Sequence, residues 1–421
     1  MWTLFKNGNF TRLFIGRIIT NAGDSLYAVA AMWLVHQLGG STFHTGLAGF
    51  LTMLPTALQF LVGPLVDRWE LKKTLVVSQV IQLLFILLIP IFYYIGFLNV
   101  TVVLVVMPIV AFASQFSFPA ERAALPSILE PDELVKGNSA FSFAYQGLDL
   151  VFSGLAGVLV AIFGAVTLYL IDSLTFAIAV LLFATLKLPE KKKTHEPKMS
   201  VRENVQKYGR DLKEGFRFVM GSIIAKFFIG AVGANFTFGA AMAVMPAYAD
   251  VRGDASFYGY MMAALSGGFL VGALLSPYAE KFSFGKMGIA AYSLSALLWV
   301  ASVFVPWNIL SILLFGAATI PIGVTEVLLA AVIQRIVPQR LLARTFSVMT
   351  SVSTSAMPLG ALIGGAVGAT IGSVATFGTA AFGILLVSVV WFFVKDLREL
   401  PNSKEIDPGK YGLNEQNEAG V

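Results

Sequence analysis

The chain has 421 residues, of which 57% are hydrophobic and 13% charged, with a formal net charge of +5. A soluble globular domain carries about 25% charged residues, so composition excludes a string of soluble domains and points to one membrane domain, whose positive charge belongs to membrane-facing loops rather than to nucleic acid. Cysteine is absent, which excludes disulfides and cysteine nucleophiles, and three histidines (His36, His44, His195) make no metal site, so neither metal nor cofactor is expected.

A helix that crosses the roughly 30 Å hydrocarbon core needs about 20 apolar residues. In chain order such spans are predicted near 12–38, 45–67, 74–96, 100–119, 138–163, 166–187, 223–249, 258–279, 286–305, 308–333, 343–371 and 373–394. The polar start through Arg12 runs into a span too long for a cleavable leader, so none is expected. The gaps from Phe163 to Val166 and from Ile371 to Ser373 are so short that the spans beside them must be antiparallel neighbours. Twelve spans put both termini on one side. Of the 29 Lys and Arg residues, Arg252 falls in a loop of the other side and Arg17 well inside a span, while the other 27 lie in the loops, termini and span ends of the first side. Basic loops mark the cytoplasmic face, so both termini are expected there. The expected organisation is a six-helix bundle over 1–187, a cytoplasmic linker over 188–222 ending in a surface helix, a second bundle over 223–394 and a disordered tail over 395–421.

The two bundles repeat each other. Phe14-Ile15-Gly16 recurs as Phe228-Ile229-Gly230, with Arg12 matching Lys226 and Asn21 matching Asn235. Pro64, Asp67, Arg68 and Lys73 recur as Pro277, Glu280, Lys281 and Lys286, while Leu129, Pro131 and Leu134 recur as Ile336, Pro338 and Leu341. Three matches in order, at nearly constant offset, imply a parallel repeat about an axis along the membrane normal. Two similar halves can rock about a central site and expose it to each side in turn.

The stretch Gly63-Pro64-Leu65-Val66-Asp67-Arg68-Trp69-Glu70-Leu71-Lys72-Lys73 resembles the loop between the second and third spans of the major facilitator superfamily. The run from Phe118 through Glu121 and Arg122 to Leu129, then Leu134 and Asn138-Ser139, is similar to exporters of the macrolide-efflux and enterobactin-exporter type. The resemblance implies an all-α integral membrane fold with twelve transmembrane helices in two pseudo-symmetric bundles. It also implies a drug:proton antiporter in a bacterial inner membrane. Partners would be a small-molecule substrate, protons and the lipid bilayer, with a monomer as the expected state. It implies a cytoplasmic gate formed by Gly63, Asp67, Arg68, Lys72 and Lys73, with Glu280 and Lys281 in the mirror role. Gly154-Leu155-Ala156-Gly157 looks like the antiporter motif without its usual proline.

Charges at bilayer depth cost about 2.5–3.5 kcal/mol on insertion scales, so they mark cavities or partners. Asp24, Asp149 and Glu326 sit inside predicted spans one, five and ten. Each can exchange a proton for a polar or cationic substrate, or be held by helix packing. Arg17, seven residues before Asp24, projects from a similar helix face and is a candidate partner for it. Glu121 and Arg122 read as an end-of-helix pair. Asn21 and Asn235 occupy matching mid-span positions, suited to lining a cavity or to helix-to-helix hydrogen bonds. Met242, Met245, Met261 and Met262, with Phe236 and Phe238, suit either an adaptable pocket or packing. Gly154, Gly157, Gly360 and Gly364, with Pro358, are expected to form moving helix contacts in spans five and eleven.

No Gly-x-x-x-x-Gly-Lys-Ser/Thr loop is present, so transport would draw on an ion gradient or the substrate's own gradient. The leading expectation is a proton-coupled exporter of amphipathic compounds. A narrow-substrate permease, a siderophore or peptide exporter, a lipid flippase, and a sensor or scaffold without transport are the alternatives. No nucleophile–base set suggests an enzyme.

Overall fold

A computed structural model describes residues 4–57, 70–130, 133–188, 209–210, 216–337, 339–402 and 405–406. Among these residues the chain is helical throughout, without a strand. The helices are α1 (Gly8–Gly39), α2 (Thr42–Ala57), α3 (Leu71–Tyr94), α4 (Val100–Ile128), α5 (Leu134–Phe163), α6 (Ala165–Ala184), α7 (Ile224–Arg252), α8 (Ala255–Ala279), α9 (Phe284–Phe304), α10 (Asn308–Ile336), α11 (Gln339–Ile371), α12 (Ser373–Thr379), α13 (Ala381–Phe393) and α14 (Lys395–Arg398). Eleven segments among the described residues are long and apolar enough to cross a membrane, α12 and α13 counting together as one. The second expected span begins as α2, and residues 58–67 of that expectation lie outside the described residues.

Local chemistry sets several boundaries. The Asn7 side chain accepts hydrogen bonds from the N–H groups of Asn9 and Phe10 and starts α1. Asn99 does the same for Val102 at the head of α4. The joints α5–α6 and α11–α12 are single residues, Gly164 (φ 78°, ψ 154°) and Gly372 (φ 90°, ψ 154°). A side chain at either would be strained, so glycine permits a reversal with one connecting residue. These are the two short gaps noted in the sequence, at equivalent places in the two halves and in the same conformation.

The chain divides into two compact units. Unit 1 comprises 1–198 with 246–263, and unit 2 comprises 199–245 with 264–421. The sequence places the division in the linker; the structure adds the end of α7 and the start of α8 to unit 1. There His36 Nε2 lies 3.3 Å from Asp250 Oδ2, and Trp33 stacks on Tyr258 with centroids 6.3 Å apart.

In unit 1 the core gathers Phe10, Leu13, Leu125, Leu129, Phe141 and Phe183. In unit 2 it gathers Phe227, Phe228, Ile336, Val387 and Trp391. Leu129 and Ile336, matched in the sequence repeat, thus occupy corresponding cores. Gly16 packs on Phe183 of α6, and Gly230 packs on Val387 of α13. The outward faces are apolar, with Leu181 and Phe304 largely exposed, as lipid contact requires. Polar side chains turn inward and bond between helices: Gln79 Nε2 donates to Ser117 Oγ at 2.9 Å, and Trp299 Nε1 donates to the Phe377 carbonyl at 3.0 Å.

Two expectations change. The tail is not disordered from Lys395. α14 is helical, Leu397 and Leu400 are buried in the unit 2 core, and the N–H groups of Phe284 and Gly285 donate to the carbonyls of Pro401 and Leu400. Two apolar side chains within six residues suffice to dock the start of the tail. Most of the linker lies outside the described residues, but Val219, near its end, already belongs to the unit 2 core.

The glycine stripes also find unexpected partners. Gly157 lies against the backbone of Ala255 and Gly259, and Gly154 against Ala263, all within unit 1. Gly360 lies on the Phe236 backbone and Gly364 on Ala240, all within unit 2. Pro358 sits in α11 just before this crossing. The α11 stripe is therefore a packing surface for α7 of its own unit. Gly364→Leu should overpack it and cost about 1–3 kcal/mol or more. Thermal melting of the purified protein in detergent checks this: the variant should melt well below wild type, and an unchanged melt would mean that the contact does not need to be tight.

Candidate transport site

α1 carries Arg17, Asn21 and Asp24 at successive turns. α4 brings Glu121 to the same place and α5 brings Tyr145. Arg17 Nε donates to Glu121 Oε2 at 2.7 Å, with the two side chains 10% and 5% exposed. The Tyr145 hydroxyl donates to the same oxygen, and its ring centroid lies 6.0 Å from the guanidinium. The sequence offers Asp24 as the partner of Arg17 and Arg122 as the partner of Glu121; the tertiary fold exchanges them. Arg122 instead lies over the Phe118 ring at 4.4 Å. Asp24 remains within electrostatic reach of Arg17 but makes no direct ion pair among the described residues.

Asp149, one helix over on α5, accepts from Ser25 Oγ at 3.3 Å and from Ser153 Oγ at 3.2 Å, both on Oδ1. Asn21 Oδ1 is buried without a hydrogen-bond partner among the described residues. The structure thus brings Arg17, Asn21, Asp24 and Asp149 into one unit and adds Glu121, Tyr145 and Ser25. It also adds Asp172 of α6, a fully buried acid (0% exposed) beside Asp24. The signal that finds Asp172 is the one used for the others: an acid inside an otherwise apolar span.

Unit 2 has a different chemistry. A cavity of about 150 Å³ is lined by Asn235, Phe238, Tyr292, Trp299, Glu326 and Met357, among others. Asn235 and Glu326, far apart in sequence, meet here. Asn235 Nδ2 donates to the Ala231 carbonyl at 2.9 Å, which fixes the amide and leaves its oxygen available to the cavity. Of the Met and Phe residues suggested for a pocket, Phe238 lines this one, while Met245 and Met261 are buried.

Of the expected cytoplasmic gate, Gly63, Asp67 and Arg68 lie outside the described residues. Lys73 pairs with Glu70 at 2.6 Å, and Lys72 begins α3 beside it. In the mirror position Glu280 accepts from Arg335 Nη2 at 3.2 Å, while Lys281 lies over the Phe282 ring at 5.2 Å. Arg335 was not part of the expected gate; it reaches Glu280 only because α10 ends beside α8.

The family profile described as transmembrane secretion effector matches residues 1–416. The chain belongs to this family of the major facilitator superfamily. It is similar to the multidrug efflux pump Tap of Mycolicibacterium fortuitum, with 25% identity over 94% of this chain and 98% of that one. Tap of Mycobacterium tuberculosis (strain ATCC 25618 / H37Rv) is 26% identical over 94% of this chain and 95% of its own. Among solved structures the fold resembles a bacterial homologue of the human lysosomal transporter Spinster (TM-score 0.65, 13% identity, 94% and 96% of the two chains). It also resembles the nucleoside transporter NupG (TM-score 0.68, 13% identity, 91% and 99%). This is a multi-pass membrane protein of a transporter superfamily, and the proteins it resembles are transporters rather than enzymes.

Removing one member of a buried ion pair leaves the other charge uncompensated, at a cost of about 3–5 kcal/mol, whereas replacing both can be neutral. Arg17→Met should therefore lower the melting temperature sharply, and Arg17→Met with Glu121→Leu should recover most of the loss. A double variant as unstable as the single one would show that the charges are needed for more than each other.

Proposed function

We propose that this transporter is a secondary active exporter of amphipathic small molecules, antibiotics among them, that exchanges substrate for protons by alternating access. The observation that carries the reading is a pair of carboxyls placed inside the helical units without a direct ion-pair partner among the described residues: Asp24 in unit 1 and Glu326 at the unit 2 cavity. A self-contained ion pair such as Arg17–Glu121 has no need of a proton. A carboxyl at that depth without one must find a proton or a cationic substrate, and trading between the two is the chemistry of antiport.

The cavity around Glu326 suits an amphipath. Phe238, Tyr292 and Trp299 offer apolar faces and cation–π surfaces, Met357 adapts to shape, and Asn235 and Glu326 give orientation. The relatives named as multidrug efflux pumps, matched over nearly their full length, support export of such compounds. The basic loops support a bacterial inner membrane with both termini cytoplasmic. The chain acts as a monomer in this reading, and Glu280 with Arg335 serves as one element of the cytoplasmic gate.

The test uses inside-out vesicles with a panel of cationic and neutral antibiotics. Addition of substrate should collapse a pre-formed pH gradient in wild type. Asp24→Asn or Asp149→Asn should reduce that proton movement toward the level of empty vesicles while substrate binding persists, and Glu326→Gln should weaken binding of the cationic compounds more than of the neutral ones. Normal substrate-linked proton movement in all three variants would reduce these acids to structural roles and sink the coupling mechanism.

A further inference from the structure

The carboxyl left out of the mechanism so far is Asp172, in the middle of α6. It is 0% exposed, and its Oδ2 has no hydrogen-bond partner among the described residues. No cationic group of the described residues lies within ion-pairing distance of it. Its other oxygen, Oδ1, lies 3.0 Å from Thr175 Oγ1, and the same hydroxyl lies 2.8 Å from the Asp172 carbonyl. A threonine hydroxyl has one hydrogen to give. If that hydrogen goes to the carbonyl, the Oδ1 contact is a hydrogen bond only when the carboxyl itself carries a proton and donates it to Oγ1. A neutral acid satisfies both contacts; a carboxylate satisfies one.

The surroundings are built for this group. Tyr27 of α1 and Tyr169 of α6 meet edge to face at 5.3 Å, and both are within electrostatic reach of Asp172. Both hydroxyls are buried and lack a partner among the described residues. Buried polar groups are normally satisfied, so three unsatisfied oxygens in one place call for a functional explanation. Gly23 of α1 lies directly on Asp172 Oδ1 and Thr175 Oγ1, where a Cβ would overlap both atoms. Asp24 is the next residue along, and it interacts electrostatically with Asp172.

We propose that Asp172 is a second proton-binding site of the transporter, a buried carboxyl that takes up one proton, donates it to Thr175 in the neutral state, and exchanges it through the neighbouring Asp24 of α1. The assignment rests on the proton-antiport reading for its purpose, though the proton-binding chemistry stands on the geometry alone. The titratable groups that face Asp172 are Asp24 and Tyr27 from α1 and Tyr169 from its own helix. α3, also packed on α6, has no titratable residue between Lys73 and Tyr93. α5 offers Tyr145 and Asp149, which are engaged with Glu121 and with Ser25 and Ser153. Two carboxyls so close cannot both be charged at low cost, so the pair gives up its two protons in separate steps.

Two measurements test this and separate it from the reading it serves. The first needs no substrate: pH-difference infrared spectra of the purified protein, reading the carboxylic C=O band. Wild type should show a titrating buried-carboxyl band that is lost in Asp172→Asn and displaced in Asp172→Glu, which keeps the acid if the Asn variant does not fold. Tyr169→Phe, which removes only an unpartnered hydroxyl, should shift the midpoint of that band. Identical titrating bands in wild type, Asp172→Glu and Tyr169→Phe overturn the assignment. The second measures accumulation of ethidium, a cationic amphipath, in inside-out vesicles under an imposed pH gradient. Asp172→Asn should lose gradient-driven accumulation while keeping gradient-free exchange of the dye. Gradient-driven accumulation that is unchanged in this variant overturns the role in coupling. If the band titrates as expected while wild-type vesicles ignore the gradient, the site stands and the antiport reading falls.

Discussion

The bilayer core offers no hydrogen-bond partner to a peptide group, so each N–H and C=O that enters it must be satisfied within its own helix. That constraint explains why the regular structure of the described chain is helical and why its polar side chains turn inward. It also governs the irregular points. Turns are pushed to helix ends, where Gly164 and Gly372 reverse the chain in one residue. Prolines such as Pro246 and Pro358 are tolerated inside long helices because neighbouring helices cover them.

The same solvent makes side-chain charge expensive, and the two units answer differently. Unit 1 concentrates ionisable groups. Arg17, Glu121 and Tyr145 form a mutually satisfied set, while Asp149 accepts from Ser25 and Ser153, and Asp172 meets the Thr175 hydroxyl with Asp24 beside it. Unit 2 keeps a single mid-span acid, Glu326, and sets it at an aromatic cavity. Halves that share a fold by repetition therefore diverge in chemistry at the positions that face inward. The matched residues Leu129 and Ile336, and Gly16 and Gly230, nonetheless keep the same packing roles in the two units.

Without a hydrophobic force between helices in lipid, close association depends on small residues that let backbones touch. Gly157 against Gly259 and Gly360 against Phe236 are such contacts. They hold neighbouring helices at backbone distance, with Asp149 about two turns before Gly157 and the cavity-lining Asn235 next to Phe236. Gly23 extends the principle to chemistry: by having no side chain it lets α1 lie on the Asp172 carboxyl.

Much of this was legible in the sequence because it is one-dimensional information. Span positions follow from runs of apolar residues about as long as the bilayer is thick. The twofold repeat follows from matched residues at constant offset, and the superfamily from the motif beginning at Gly63. That Asp24, Asp149 and Glu326 lie within spans could likewise be counted along the chain. What the sequence could not decide was which way each side chain points and what it meets, because that depends on helix rotation and on neighbours distant in sequence. A small error in rotation turns a cavity residue toward lipid. Only the tertiary structure assigned Glu121 to Arg17, 104 residues away, joined Asn235 to Glu326 in one cavity, docked Leu397 and Leu400 on unit 2, and placed Asp172 beneath Gly23. Each of these is a contact between helices, and the energy that selects it arises only when the helices pack.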